Sequence, residues 1–317
     1  VKTVMLGLGI IVLGLCSIFV GVADISLSSI FSGDTDALAI MLISRVPRLL
    51  AICLAGAGLS VAGLVMQQIC QNRFASPSTT GTIDCAMLGY VVALLIAAGK
   101  GQFFTLAIIF SFAIGGTLLF VQFLNRLKFK NAMLVPLIGI MYGNVVGSLT
   151  TFIAYKYDLV QSLSAWTVAN FASVLRGNFE LLYIALPASI LAYLYAARFS
   201  AASMGESFAK NIGLNYQRVV FIGVAIVAVL ASSVVMIVGM IPFLGLIVPN
   251  VVSLFMGDNM RRNLPFTAYW GAVLVLVCDV IGRVILFPHE VPISMIISVI
   301  GGAAFIYLVL RDRVNAR

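Results

Sequence analysis

The chain has 317 residues, of which 62% are hydrophobic and only 9% charged, with a formal net charge of +8. A soluble domain carries about 25% charged residues, so the composition excludes an ordinary soluble protein. Apolar runs of bilayer-crossing length recur along the chain, and they are continuous rather than alternating, which also excludes a porin-type barrel.

The predicted spans are 3–23, 49–70, 82–98, 103–124, 133–155, 180–197, 218–239, 243–256, 266–287 and 292–310. Met5 to Ala23 is followed by no small-residue cleavage site and reads as a retained span, not a signal peptide. Between the spans, the longest non-apolar segments are 24–48, 156–179 and 198–217. With ten spans and a cytoplasmic N-terminus, the inner side holds 13 of the 19 basic residues, among them Arg73, Arg126, Arg198, Lys210, Arg218, Arg261 and Arg262. The outer side holds Arg45, Arg48, Lys100, Lys156, Arg176 and Arg283. This positive-inside bias predicts a multi-pass protein of a bacterial inner membrane with both termini cytoplasmic. The net charge then reports topology, and nucleic-acid binding is an unneeded explanation.

Taken along the chain, the second span opens with Arg45-Val46-Pro47-Arg48 and continues through Gly56, Gly58 and Gly63, small residues that let helices approach closely in lipid. It runs into a broken stretch, Asn72-Arg73-Phe74-Ala75-Ser76-Pro77, and Ile241 to Pro249 forms a similar break in the second half. Breaks at membrane depth are tolerated only where protein or a wet cavity satisfies the freed backbone. Asp84, near the start of the third span, reads either as a functional carboxylate or as a helix cap beside Thr82, with the cap favoured.

The fifth span carries two stripes. Gly139, Gly143 and Gly147 form a ridge for close packing, and Asn144, Ser148, Thr151 and Tyr155 recur at helical spacing beside it. The polar stripe would serve equally to line a path or to hydrogen-bond a neighbouring helix. Ser294 and Ser298 make a fainter parallel in the tenth span.

Residues 202–218 are a polar island in which Glu206, Lys210 and Asn211 share a short helical stretch punctuated by Gly205 and Gly213. Such a helix belongs at a membrane surface, where another protein can grasp it. The five cysteines are scattered without a C-x-x-C pair, and His289 with Glu290 alone makes a poor metal site. No phosphate-cradling loop and no nucleophile–histidine pair occurs, so the chain is not expected to be an enzyme.

These features fit an all-α polytopic membrane protein, a single domain of about ten helices in two inverted five-helix halves, 1–164 and 165–317. The run from Arg45 through Gln67, Asn72–Pro77 and Gly81 resembles the signature of the iron-siderophore and vitamin B12 ABC permeases, the FecCD/BtuC type. So do Gly239 to Pro249, Asp279 to Arg283 and Glu290 to Pro292, in order along essentially the whole chain. The family usually has Asn-Pro-Leu-Ala where Asn72-Arg73-Phe74-Ala75 stands, and a histidine where Asn250 stands. With Gly81 to Asp84 and Phe171 to Glu180, these departures resemble the branch that serves catecholate and mixed-ligand siderophores, such as the anguibactin, petrobactin and vibriobactin permeases.

The resemblance implies a type II ABC importer permease working with a second, related permease subunit, two cytoplasmic ATPase subunits and an external siderophore-binding protein. ATP and Mg would sit on the ATPases, this chain would bind no cofactor or metal, and iron would pass only as a siderophore chelate. Gly205, Glu206, Ala209 and Gly213 match the family's coupling loop, within 198–217. Arg45 and Arg283 match the positions where the family presents basic residues to its binding protein, although Arg283, four residues after Asp279, is also explained by an ion pair within its helix. The fifth span faces the pathway in the family, which favours lining for Asn144, Ser148, Thr151 and Tyr155. A proton-coupled secondary transporter is the rival reading; it needs a buried relay, for which Asp84 and Asp279 are the only candidates.

Overall fold

The computed structural model describes residues 9, 14, 17, 18, 35–97, 101–126 and 134–315. The first predicted span, 3–23, lies outside the described residues except for Gly9, Gly14, Ser17 and Ile18. Helices account for each of the other nine. In chain order they are α1 (Thr35–Ile40), a π-helical turn (Met41–Arg45), α2 (Val46–Ile69), α3 (Thr82–Ile96), α4 (Gln102–Arg126) and α5 (Leu134–Lys156). There follow α6 (Val160–Thr167), α7 (Ala185–Ser203), α8 (Glu206–Asn211), α9 (Tyr216–Ile237), α10 (Leu244–Met256), α11 (Met260–Val284) and α12 (Ile293–Asn315). Among the described residues, six stretches are long and apolar enough to cross a membrane, and α3, α10 and the apolar part of α12 are shorter. The chain is a multi-pass membrane protein.

Helix α2 is the hub, packing against α11, α9, α10 and α7. Its small residues make this possible. A side chain at Gly63 would run into the backbone of Gly245 in α10, so the two helices touch main chain to main chain. In lipid, where apolar solvent removes most of the hydrophobic drive between helices, such close contact is the main source of association. By contrast, α5 leans on α3 and α12 touches only α10 and α11 appreciably, so both leave long unpartnered faces.

Three boundaries depart from the sequence expectation. The segment 24–48, expected as an outer loop, is helical from Thr35 onward, because the π turn carries α1 directly into α2. Helix α7 runs to Ser203, so the polar loop expected over 198–217 is helical for its first six residues. Helix α11 begins at Met260 rather than 266, because the Asn259 side chain accepts a hydrogen bond from the Arg262 N–H and caps it ahead of the charged residues.

Candidate functional site

Two breaks flank the hub. After α2, Gln71 takes a positive φ of 51° and the chain leaves the helix. Asn72 Oδ1 accepts from the Phe74 N–H at 2.8 Å, Thr79 Oγ1 from the Ser76 N–H at 2.9 Å, and Thr80 Oγ1 donates to the Ser76 carbonyl at 2.8 Å. Side chains thus satisfy backbone that the break exposes, as burial at this depth requires. The second break ends at Phe243 with φ 60°. The two breaks meet: Asn250 Nδ2 donates to the Arg73 carbonyl at 2.8 Å and the Leu246 carbonyl at 2.7 Å. Arg73 in turn reaches Asp258 at 2.6 Å. Two of the positions singled out in the sequence, 73 and 250, therefore touch each other, a pairing that sequence separation concealed.

At one end of the molecule α8 stands as a surface helix between two spanning helices. Gly205 at φ 109° turns the chain out of α7, and Gly213 at φ 79° turns it into α9, both in the region that disfavours a Cβ. The exit is a Schellman motif, in which the Leu214 N–H reaches the Ala209 carbonyl at 2.9 Å and the Gly213 N–H reaches Lys210 at 3.0 Å. Asn215 immediately caps α9, its side chain accepting from the Arg218 N–H at 3.1 Å. Ala209 is fully buried and anchors the inner face of α8. The outer face exposes Phe208, with Met204 and Ile212 exposed beside it, and Glu206 pairs with Lys210 at 2.9 Å. The helix is thus a fixed, apolar-tipped knob with charges on its flank. Gly205, Glu206, Ala209 and Gly213 fall together in it, in three roles: joint, flank and anchor.

Along α5, the glycine ridge and the polar stripe point different ways. Gly139 faces the Thr79 carbonyl and Gly143 faces the Asp84 carboxylate, so these two are closely packed, whereas Gly147 is half-buried with room beside it. Asn144, Ser148, Thr151 and Tyr155 are exposed. Ser148 and Thr151 hydrogen-bond the carbonyls of Asn144 and Gly147 in their own helix, at 2.7 and 2.9 Å, rather than a neighbour within this chain. Ser294 and Ser298 are half-buried on α12, with the Ser298 hydroxyl donating to the Ser294 carbonyl at 2.6 Å. The N-cap position of α3 is Gly81, with no side-chain cap bond; Asp84 lies in the first turn, where its carboxylate accepts from its own backbone N–H and packs against Gly143.

The far end of α11 corrects the view of the arginines. Arg283, expected at the surface, is 4% exposed. It is ion-paired to Asp279 and donates to the Ser17 carbonyl and hydroxyl at 2.8 and 2.6 Å. Arg48 holds the other Asp279 oxygen at 2.8 Å and both oxygens of Glu290 at 3.0 and 2.9 Å. Arg283 therefore faces inward and offers nothing to a docking partner. Arg45 is half-buried at the end of the π turn, within a continuous helical stretch rather than at a span end. Sequence reasoning missed Arg48 and Glu290 as a pair because 242 residues separate them.

Known proteins sharpen this geometry. The profile of the FecCD transport family matches residues 9–311. The chain is 45% identical over 307 residues to the petrobactin import system permease protein YclN of Bacillus subtilis (strain 168), covering 97% of each. It is 42% identical over 306 residues to the petrobactin import system permease protein FatD of Bacillus anthracis, covering 96% of this chain and 89% of that one. It is 38% identical over 297 residues to the ferric-anguibactin transport system permease protein FatD of Vibrio anguillarum (strain ATCC 68554 / 775), covering 93% and 94%. A solved structure described as an inward-facing conformation of a metal-chelate type ABC transporter shares the fold, with a TM-score of 0.77, 24% identity, and 96% and 97% of the two chains covered. A family match over nearly all the described helices, joined to full-length relatives well above 30% identity, assigns the chain: it belongs to the FecCD transport family.

Proposed function

We propose that this permease carries a ferric siderophore, of catecholate or mixed-ligand type, across a bacterial inner membrane as one subunit of an ATP-driven importer. The functions that its relatives are named for, petrobactin import and ferric-anguibactin transport, support the cargo class. The observation that carries the ATP-driven part is α8, a rigid apolar-tipped helix joined by single glycines to two spanning helices.

The mechanism is a lever. Two cytoplasmic ATPase subunits hold ATP and Mg and close on each other, and one of them grips α8 at Phe208, Met204 and Ile212. Because the Schellman exit and the Asn215 cap leave no slack between α8 and α9, a displacement of α8 passes into α9 and α7, both of which pack on α2. The α2 hub holds the two breaks together through α10. A second permease, related but not identical, covers the open face of α5. The cargo then passes between the two along Asn144, Ser148, Thr151 and Tyr155, with Ser294 and Ser298 on α12 contributing. An external binding protein delivers it near Arg45. The inverted halves 1–164 and 165–317 and cytoplasmic termini complete the reading, with no cofactor on this chain.

The rival proton-coupled reading needs a relay of more than one buried carboxylate, and of its two candidates Asp279 is already ion-paired to Arg48 and Arg283, which leaves Asp84 by itself beside Gly143. Reconstitution with the ATPase, the second permease and the binding protein in proteoliposomes decides between them. ATP-dependent uptake of ferric petrobactin that ignores a protonophore is the expected result. Uptake that continues without the ATPase and collapses with the protonophore would return the rival.

A further inference from the structure

Beside α8, and sharing Glu206 and Asn215 with it, lies a cleft of about 780 Å³ whose other lining residues the lever mechanism does not use. Its apolar wall is formed by Leu118 and Val121 of α4 and Val220 and Phe221 of α9, with Val121 and Val220 buried and Phe221 exposed at its edge. Its rim is polar: Gln122, Asn125 and Arg126 end α4, and Gln217 and Arg218 begin α9. Arg126 and Arg218 are exposed, and neither has an ion-pair partner among the described residues. Leu118 and Arg126 are eight residues apart, about 12 Å along the helix axis, so the cleft descends from a charged mouth into an apolar floor. A second cleft of about 490 Å³ adjoins it through Asn215, Tyr216 and Gln217 and adds Lys210 of α8. The one carboxylate facing the first cleft, Glu206, is paired with Lys210.

We propose that this cleft binds an anionic phospholipid of the cytoplasmic leaflet, its phosphate between Arg126 and Arg218 and one acyl chain against Leu118 and Phe221. The proposal rests on the topology of the proposed function, which places these ends of α4 and α9 at the cytoplasmic face. Charge and depth together select this occupant. Basic side chains at the end of a spanning helix attract anionic headgroups, whereas free phosphate would leave the apolar floor wet. An ATPase surface would approach from the aqueous side and leave the floor between spanning helices unfilled. Because the cleft reaches both the first turn of α9 and Glu206 of α8, a lipid there fixes the root of the lever against the membrane plane.

The test uses the purified permease, alone and with its ATPase, in nanodiscs of phosphatidylcholine with and without phosphatidylglycerol. Native mass spectrometry after detergent extraction reads the lipid retained. Wild type should keep phosphatidylglycerol in preference to phosphatidylcholine. The double variant Arg126→Gln/Arg218→Gln should lose that preference by about ten- to thirtyfold, two basic contacts each contributing a few-fold. Arg126→Lys/Arg218→Lys, compared at equal membrane abundance, should keep most of it, which separates lost charge from lost folding. Equal retention by wild type and the glutamine variant overturns the site. So does displacement of the lipid by inorganic phosphate with no dependence on acyl chain, or loss of the ATPase from the glutamine variant with phosphatidylglycerol retention unchanged. Retention is read on the permease without transport, so failure of the importer reading appears separately, as an ATPase that never co-purifies.

Discussion

At the C-terminal end of α11, Arg48, Asp279, Arg283 and Glu290 close on one another, while at the opposite end of the molecule α8 turns Phe208, Glu206 and Lys210 toward solvent. Both regions combine arginine or lysine with acidic residues, and in the sequence both read as places where another protein binds. They differ in what the charges already hold. The α11 cluster is buried around Arg48, Asp279 and Arg283, with Glu290 half-buried at its edge, and its ions answer each other; removing one strands its partner in a medium that solvates it poorly. The α8 pair is exposed, so it is worth little in itself, and the apolar tip beside it is left uncovered by the described residues. Charge that is internally satisfied shapes the fold. Apolar surface held rigidly in water is what remains for a partner.

The widest separation between the two regions should come from Arg283→Ala. It leaves a buried carboxylate with one guanidinium fewer, and the expected loss is about 3–5 kcal/mol, visible as a lower melting temperature in detergent and reduced membrane abundance. A variant with wild-type stability and weakened binding-protein docking would place Arg283 at the surface after all. Next in size is Phe208→Asp. On exposed α8 it should change stability by no more than ~0.5 kcal/mol, yet weaken ATPase association about ten- to a hundredfold if Phe208 is a central anchor. Titration of the ATPase against the reconstituted permease measures this, and unchanged affinity would remove α8 from the interface.

The comparison sharpens along α5, where one helix carries a satisfied face and an open one. Cysteines at Asn144, Ser148 and Thr151 in a Cys-free background should react with small aqueous thiol reagents, and those at Gly139 and Gly143 should not. Equal labelling of both faces would return the stripe to helix packing. The smallest effect belongs to Arg45→Glu. Charge at a rim acts mainly on encounter, so association of the binding protein should slow by about tenfold at low salt and recover as salt is raised. A salt-independent rate equal to wild type excludes docking at Arg45.

How much of this was legible follows the same division. The fifth span, expected over 133–155, is α5 at Leu134–Lys156, because an unbroken apolar run in lipid has only the helix available to it. The α8 region was legible because Gly205 and Gly213 mark the two positions where the chain must adopt a positive φ. The ion cluster at the C-terminal end of α11 was not. Hydropathy counts every arginine as water-facing, and nothing local shows that Arg48 meets Asp279 across 231 residues or that Arg283 meets Ser17 across 266. The early start of α11 was hidden for the same reason: Arg261, Arg262 and Asn263 read as loop until the Asn259 cap and the tertiary contacts of α11 are seen.

The central claim is that α8 transmits force as a rigid element, and Gly205→Pro tests it most directly. Proline fixes φ near −65°, far from the 109° that Gly205 adopts, so the joint into α8 must re-form at a different angle. Uptake of ferric siderophore and ATP hydrolysis should be measured together in proteoliposomes containing the complete importer. The account predicts normal membrane abundance and binding-protein docking, with uptake near zero and ATP hydrolysis no longer stimulated by loaded binding protein. Uptake at the wild-type rate by the Gly205→Pro protein would contradict it.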